Sequence, residues 1–493
     1  MTEGDAVATE ALEHALVFPR EMEPIDYLLF RGEQDARSRA ALLSINLLDI
    51  VPEFERVLAA YERASRVLLR FRQHVVVPPL PVAPPQWIID PDFDISFHVR
   101  RSRLPEPGTI RQLLDFAQPI YAAPFDTARP LWEAHLVEGL TEGGARAALV
   151  LKTNHALSDG VGGMELARQL YDFERDADRG PLPPLPVPED VSPADLMRRA
   201  VRRAPVTLVG GAVRRVRGAA GAGARTVRHP GRAVGDARRM LASARRMFGP
   251  PPTAPSPLLR RRSLGRRFEW LEFPLDRFRR AAKGAGGSVN DAYLAALCGA
   301  LRRYHDALGV PIDALPLAMP VNLRTDDDPA GGNRFAGARI AAPIGEPDPA
   351  RRILLIREQV LTAVAEPAMT ALSAVAPVMA RLPMPLLNAI ASSALTTDVQ
   401  ASNVPGFPEP PYIAGARVVK TLPFGPVPGV AMMVVMLSEG GICYLGVNYD
   451  TASVTDRDLF ARCLRDGVDE VLALEHEPAR PPTPVGLGSV VTD

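Results

Sequence analysis

Apolar positions change their period several times along the chain, and each change marks an element. Leu42–Ile50 (LLSINLLDI) is a short apolar run and reads as a strand. Pro52–Val67 repeats apolar residues at helical spacing, with Pro52 and Glu53 suited to a first helical turn. Leu69–Val77 reads as a second strand, its alternation interrupted by Arg70, Arg72 and His74. Ile110–Tyr121 (IRQLLDFAQPIY) reads as a helix that should end before Pro119. In Leu131–Val137, Leu131, Glu133, His135 and Val137 share one face, and Trp132, Ala134 and Leu136 the other. A glycine-rich turn, Gly139–Gly144, then leads into the apolar run Ala147–Thr153, which predicts an antiparallel hairpin. Val161–Phe173 returns to helical spacing through Met164, Leu166, Ala167, Leu170 and Tyr171.

The pattern breaks after Asp176. Pro181–Pro188 (PLPPLPVP) is an extended proline-rich linker. A one-signed stretch follows, with 19 arginines and the single acid Asp236 between Arg198 and Arg267. At its start, Leu196, Met197, Ala200, Val201 and Ala204 oppose Arg198, Arg199, Arg202 and Arg203, which is the pattern of a basic amphipathic helix. Gly249–Pro257 is a second linker. Regular periods resume with a strand at Phe268–Phe273, a helix from Leu275, and a long helix to Leu308 headed by Ser288-Val289-Asn290-Asp291, with Ser288 or Asn290 as cap. Further expectations are a strand at Leu315–Leu323, a helix at Pro349–Val364, and an apolar but proline-broken stretch at Glu366–Asp398 that suits a hairpin of helices at a lipid-facing mouth or a plain core pair. A hairpin of Val430–Leu437 with Ile442–Val447 and a closing helix at Asp456–Leu474 complete the series. These periods divide the chain into a first half at 1–180 with a frayed start (1–22), a linker at 181–265, a second half at 266–477 and a disordered tail at 478–493.

Composition narrows the function classes. The 493 residues carry 57 basic and 57 acidic side chains, so bulk charge points to no nucleic-acid partner. Three scattered cysteines, Cys298, Cys443 and Cys463, argue against a disulfide framework and fit a reducing cytoplasm. Neither a signal peptide nor a membrane-spanning run is expected. No metal-ligand spacing, phosphate loop or dinucleotide fingerprint is present, so neither metal nor bound cofactor is expected.

The candidate chemistry lies where the hairpin strand meets the following helix, at Asn154-His155-Ala156-Leu157-Ser158-Asp159-Gly160. A loop held by a rigid scaffold is a common place for catalysis. The unperturbed pKa of histidine, about 6.5, lets His155 take a proton from a hydroxyl near neutral pH. Asp159 either caps the helix or holds the loop through an arginine. His135 and His98 read as packed or surface residues.

This motif resembles the HHxxxDG signature of the chloramphenicol-acetyltransferase-like acyltransferases. The chain resembles one branch in particular, the bacterial wax ester synthase / acyl-CoA:diacylglycerol acyltransferases. The likeness runs through Pro24-Ile25-Asp26, Trp87–Asp94, His98–Arg101, the Pro130-Leu131-Trp132 element, Asn290-Asp291, Pro320–Arg324, Gly332-Asn333-Arg334 and Ser402–Gly406. One departure stands out: the first motif histidine is Asn154. The resemblance implies an α/β fold of two chloramphenicol-acetyltransferase-like halves, each a mixed sheet flanked by helices, with a central tunnel between them. It implies transfer of a long-chain acyl group from acyl-CoA to diacylglycerol or a long-chain alcohol, with His155 as general base. Asp159 would then be structural, paired with Arg72 or else Arg70, and Asn290 is a candidate oxyanion donor. Asn154, Gly160, Arg72, Pro130, Leu131, Trp132 and Asp291 are the remaining motif positions. A condensation-type enzyme using a carrier-protein thioester and a weakly active lipid-binding homologue are the alternatives. Because such substrates are insoluble, residues 198–267 are expected to attach a cytoplasmic protein peripherally to an anionic inner membrane face or lipid droplet.

Overall fold

The computed structural model describes residues 18–80, 83–157, 167–202, 251–322, 335–365 and 397–476, with 376–377, 379–383 and 386. In chain order the strands are β1 (Ala41–Leu48), β2 (Gln73–Val76), β3 (Gln86–Ile89), β4 (Val99–Arg103), β5 (Trp132–Glu138), β6 (Ala147–Asn154), β7 (Arg266–Pro274), β8 (Leu315–Asn322), β9 (Phe335–Ala342), β10 (Val399–Pro405), β11 (Tyr412–Ile413), β12 (Ala416–Phe424), β13 (Met432–Glu439) and β14 (Ile442–Asp450). The main helices are α1 (Pro24–Arg31), α2 (Phe54–Val67), α3 (Ile110–Ala122), α4 (Leu275–Gly284), α5 (Val289–Ala307), α6 (Pro349–Val364) and α7 (Arg457–Ala473). They form two six-stranded mixed sheets flanked by helices, in the orders β11-β12-β1-β6-β5-β4 and β7-β14-β13-β10-β8-β9, with β2 and β3 as a separate hairpin. This is an α/β architecture of two layered units, each with its own apolar core.

Strand β6 lies inside the first sheet, antiparallel to β1 on one side and β5 on the other. Its first four residues, Ala147–Val150, are buried, which is why the segment reads as a continuous apolar run rather than an alternating one. β5 differs from its expected two-faced pattern for the same reason: all its residues except Glu133 are buried. Trp132 organises this part of the core. Its ring stacks on Tyr61 at 5.3 Å and on His98 at 4.6 Å, and its Nε1–H donates to the Phe71 carbonyl at 2.9 Å.

The two units are joined by a one-way crossover of strands. β11 and β12 come from the second half of the chain but complete the first sheet, where β12 pairs antiparallel with β1. The expected second half, 266–477, therefore does not keep all of its strands. β12 also packs against β13 and β14, so it is the seam between the sheets. The approach is close at Gly446, where an added Cβ would meet the Pro423 carbonyl oxygen at 1.7 Å. Only glycine fits there.

Several local expectations are corrected. Leu69–Val77 is not one strand. Leu69–Arg72 forms a 3-10 turn and β2 starts at Gln73. The turn carries Arg70, Phe71 and Arg72 all inward, which a strand cannot do. The helix α3 does not stop at Pro119 but runs to Ala122. Pro119 is exposed, so the carbonyl it frees faces water, while Leu113, Leu114, Ala117 and Tyr121 hold the helix to the core. Ser288, not Asn290, caps α5, in a capping box with Asp291. Residues 18–22, expected to fray, are tied in by a bridge from Glu21 to Gln86 and by buried Met22. Residues 1–17, 203–250 and 477–493 lie outside the described residues, as does most of Glu366–Asp398.

The linker is anchored at both of its described ends. A helical stretch over 193–202 buries Leu196 against Val76 and Ile88 of the β2–β3 hairpin. The apolar face of the basic amphipathic helix thus meets protein at Leu196, where the sequence suggested lipid. At the other end Ser256, 1% exposed, shares a 2.7 Å hydrogen bond with His305 Nε2, and its backbone N–H donates to Asp398 Oδ2 at 2.6 Å. Burial pushes the Asp398 carboxyl up from 3.8 to about 6, against the lowering influence of the Ser256 N–H and Arg262. The folded state therefore holds this proton more tightly than the unfolded chain, so its contribution to stability is full below about pH 4 and falls between about pH 4 and 6. Asp398→Asn keeps an acceptor for Ser256 and cannot titrate. Its melting temperature relative to wild type should rise from pH 4 to pH 8; an offset identical at both pH values contradicts the assignment.

Candidate active site

β6 ends by delivering His155 onto a turn whose backbone is fixed on every side. The Asn154 N–H donates to the Leu131 carbonyl at 3.0 Å, the His155 N–H to the Ala40 carbonyl at 2.8 Å, and the Leu157 N–H back to the Asn154 carbonyl at 3.0 Å. His155 itself is partly buried, with its Nδ1 shielded from solvent.

Asn154 is 1% exposed and acts as a bracket. Its Oδ1 accepts the Ala156 N–H at 2.8 Å, and its Nδ2 donates to Glu33 Oε1 at 2.7 Å. Glu33 Oε2 in turn accepts the Phe125 N–H at 3.2 Å. Burial raises the pKa of Glu33, while the Phe125 N–H, Lys152 and Arg39 act to lower it. The amide is thus the link between the turn holding His155 and a buried carboxyl just after α1. Glu33 carried no sequence signal: a single acid following an apolar helix looks like a solvated helix end, and its partner is 121 residues away.

Two residues before Asn154, Lys152 Nζ donates to Glu133 Oε1 at 3.0 Å and to the Ala123 carbonyl at 2.9 Å. Burial acts to raise the Glu133 pKa, but His135 and Lys152 outweigh it and hold the carboxyl down at about 2. His135 Nε2 lies 3.4 Å from Glu133 Oε2, and His98 Nδ1 lies 2.7 Å from the Trp132 carbonyl. Both histidines are packing residues of this wall.

The other predicted positions separate into groups. Pro130, Leu131 and Trp132 are buried and brace the turn, Leu131 through its bond to Asn154. Asp159 and Gly160 lie outside the described residues. Arg72, expected to hold Asp159, bonds to Glu62 at 2.6 Å and Ser65 Oγ at 3.1 Å, and its guanidinium lies 4.3 Å from the Phe93 ring centroid. Arg70 bonds to Gln73 at 2.6 Å and the Pro19 carbonyl at 2.7 Å, and lies over Trp87. Glu62 is thus a carboxylate partner of Arg72 that carried no sequence signal, while the expected Arg72–Asp159 pair lies outside the described residues. Asp291 is held by Ser288 at 2.8 Å and by Arg357 at 3.3 Å. Asn290 sits in the first turn of α5 and makes no hydrogen bond to the 154–157 turn among the described residues.

A cavity of about 850 Å³ abuts this site, within the roughly 300–1,000 Å³ typical of small-molecule pockets. Met22, Tyr27, Phe30, Val75, Val77, Phe125 and several prolines line it, and Glu33 belongs to its wall. Among the described residues no cluster of His, Cys, Asp and Glu could hold a metal ion, and no helix is long and apolar enough to cross a membrane. Cys298, Cys443 and Cys463 are free and buried.

The wax ester synthase/diacylglycerol acyltransferase catalytic domain model matches residues 21–293, and the corresponding C-terminal domain model matches 331–471. A Mycobacterium tuberculosis protein provisionally named a diacylglycerol O-acyltransferase is 49% identical over 475 residues, covering 95% of this chain and 96% of that one. A second, similarly named protein from the same organism is 34% identical over 375 residues, covering 73% and 78%. The structure of a wax ester synthase/diacylglycerol acyltransferase from Marinobacter aquaeolei superposes with a TM-score of 0.60 at 21% identity, covering 92% of this chain and 99% of that one. The first condensation domain of the calcium-dependent antibiotic synthetase superposes with a TM-score of 0.59 at 15% identity, covering 94% and 98%. At these identities the structural likenesses speak for the fold alone.

Proposed function

Because the chain belongs to the wax ester synthase/diacylglycerol acyltransferase family and is an acyltransferase, we propose that it moves a long-chain acyl group from acyl-CoA to diacylglycerol or a long-chain alcohol, with His155 as general base. The observation that supports this reading is the fixed turn at the end of β6 that carries His155, whose neighbour Asn154 is bonded to Glu33, a wall residue of the cavity of about 850 Å³. In the reaction the imidazole takes the proton of the acceptor hydroxyl as its oxygen bonds to the thioester carbonyl carbon. The carbon–sulfur bond then breaks, and the imidazolium returns the proton to the departing thiolate. Atoms and charge balance without an acyl-enzyme. The cavity suits an acyl or acyl-glycerol chain, since each methylene buried there contributes about 0.8 kcal/mol. The amide of Asn154 holds the turn and is no base at neutral pH, so on this reading the proton-taking role falls to His155. Release of free thiol from palmitoyl-CoA, measured with diacylglycerol and with hexadecanol as acceptors, tests the reading. No thiol release with either acceptor rejects it.

The arginine-rich linker is our candidate for electrostatic attachment to an anionic membrane or droplet surface. Replacing 203–250 by a glycine–serine linker leaves Leu196 and Ser256 in place. Its expected result is weaker flotation with anionic vesicles and a flatter salt dependence, because exposed charges are screened within about 10 Å at 0.1 M salt. Flotation equal to wild type at every salt concentration would leave the segment as a tether only.

A further inference from the structure

One buried acid at the seam between the sheets has no part in the chemistry above. Glu439 ends β13 and is 7% exposed. Among the described residues no arginine, lysine or histidine pairs with it. Its Oε2 lies 2.7 Å from Thr421 Oγ1 on β12. Thr421 Oγ1 lies 3.2 Å from Asn46 Oδ1 on β1, and Asn46 Nδ2 donates to the Tyr171 phenol oxygen at 2.7 Å. Asn46 and Thr421 face each other in register and are both buried, so this chain of bonds runs through the interior. Thr421 has one hydroxyl proton and two acceptor oxygens beside it. A proton on the Glu439 carboxyl resolves the count: it goes to Thr421 Oγ1, and the Thr421 proton goes to Asn46. Burial favours that state by raising the Glu439 pKa, against the lowering influence of Thr421 and the Phe407 N–H. The other titratable groups that feel Glu439 are the phenols of Tyr171 and Tyr444. Turning the Asn46 amide over would reverse the bonds and keep every link.

The far end of the chain flanks the catalytic turn. Tyr171 follows the helical stretch 167–170, with its N–H donating to the Ala167 carbonyl at 2.8 Å. Leu170 packs in the same core as Ala156 and Leu157 of the turn. Asn46, in the middle, pairs with Leu149 on β6, the strand that carries the turn. Apolar contacts would also stabilise this region, but a fully satisfied buried polar chain specifies a single arrangement of its members.

We propose that Glu439 is a positioning residue for acyl transfer: through Thr421, Asn46 and Tyr171 it ties the flank of the catalytic turn to the second sheet and so holds His155 in place. What His155 does there rests on the acyltransferase reading; the tie does not. The test uses the full chain and two readouts, amide hydrogen exchange at 154–157 and 167–172, and thiol release from palmitoyl-CoA with diacylglycerol. In Glu439→Ala, exchange in both segments should quicken about tenfold, as for the loss of a buried hydrogen bond. Its kcat should fall by up to about 10²-fold, the cost of a misplacement near 1 Å. None of the four residues lines the cavity, so KM for palmitoyl-CoA should stay within about twofold of wild type. Thr421→Val, which removes only the hydroxyl, should act like Glu439→Ala and carries the same readings if that variant fails to fold. Glu439→Gln keeps a donor for Thr421 and an acceptor for the Phe407 N–H, so it should restore both readouts. Unchanged exchange in both Glu439→Ala and Thr421→Val overturns the proposal. So does a lowered melting temperature with kcat, read well below melting, at the wild-type value, because the chain would then be structural only. Glu439→Gln as damaged as Glu439→Ala overturns it as well. If exchange responds as expected while even wild type releases no thiol, the tie stands and the acyltransferase reading falls.

Discussion

His155→Ala is expected to abolish acyl transfer and to leave the fold intact. The imidazole is the one group on the 154–157 turn that can take a proton near neutral pH, since Asn154, Ala156 and Leu157 offer none. General-base catalysis typically contributes about 10²–10⁴-fold, so kcat for thiol release should fall by that order. Binding of acyl-CoA should change little, because the proton moves only during reaction. The turn is held by backbone bonds from Asn154, His155 and Leu157, which alanine preserves, so the melting temperature should stay close to wild type. Retention of more than about a tenth of the wild-type kcat would place the base elsewhere.

Asn154→Ala is expected to do the opposite: a large loss of stability with a smaller loss of rate. Its amide satisfies two buried groups at once, the Ala156 N–H and the Glu33 carboxyl. Each buried polar group left without a partner costs about 1–3 kcal/mol. Glu33→Gln should be costly as well. Both carboxyl oxygens accept, one from Asn154 and one from Phe125, and an amide must turn its NH2 toward one of those donors. Both variants should therefore melt lower than wild type. In Asn154→Ala the pH midpoint of kcat should stay at the wild-type value while its plateau falls, because an amide positions His155 without titrating. A shifted midpoint would show that Asn154 sets the pKa of His155, and a rate loss as large as that of His155→Ala would put Asn154 in the chemistry.

These expectations also show where sequence reading ended. The strand-to-turn placement of His155 followed from a local pattern, Ala147–Thr153 being an apolar run closed by polar residues, and β6 ends at Asn154. Pro349–Val364 emerged as a helix with the expected bounds, and Ser288 with Asp291 is a capping box whose partners are three residues apart. Such features depend on neighbours within one helical turn or one hairpin, so they are written in the chain itself.

Tertiary structure decided the rest, because a residue's burial can be guessed from its type but its partner cannot. Arg72 could have met any acid of the protein, and Glu62 on α2 holds it. Leu196 had an apolar face to bury, and whether lipid or protein would cover it depended on the β2–β3 hairpin more than 100 residues earlier. β12 carries no mark of its partner in its own residues, yet its edge was matched to β1, some 370 residues away, and only the assembled sheet reveals that match. The same holds for Glu33: its carboxyl matters because folding carries it to Asn154 and away from water, where an unpaired polar group is costly and a paired one fixes the geometry of the turn.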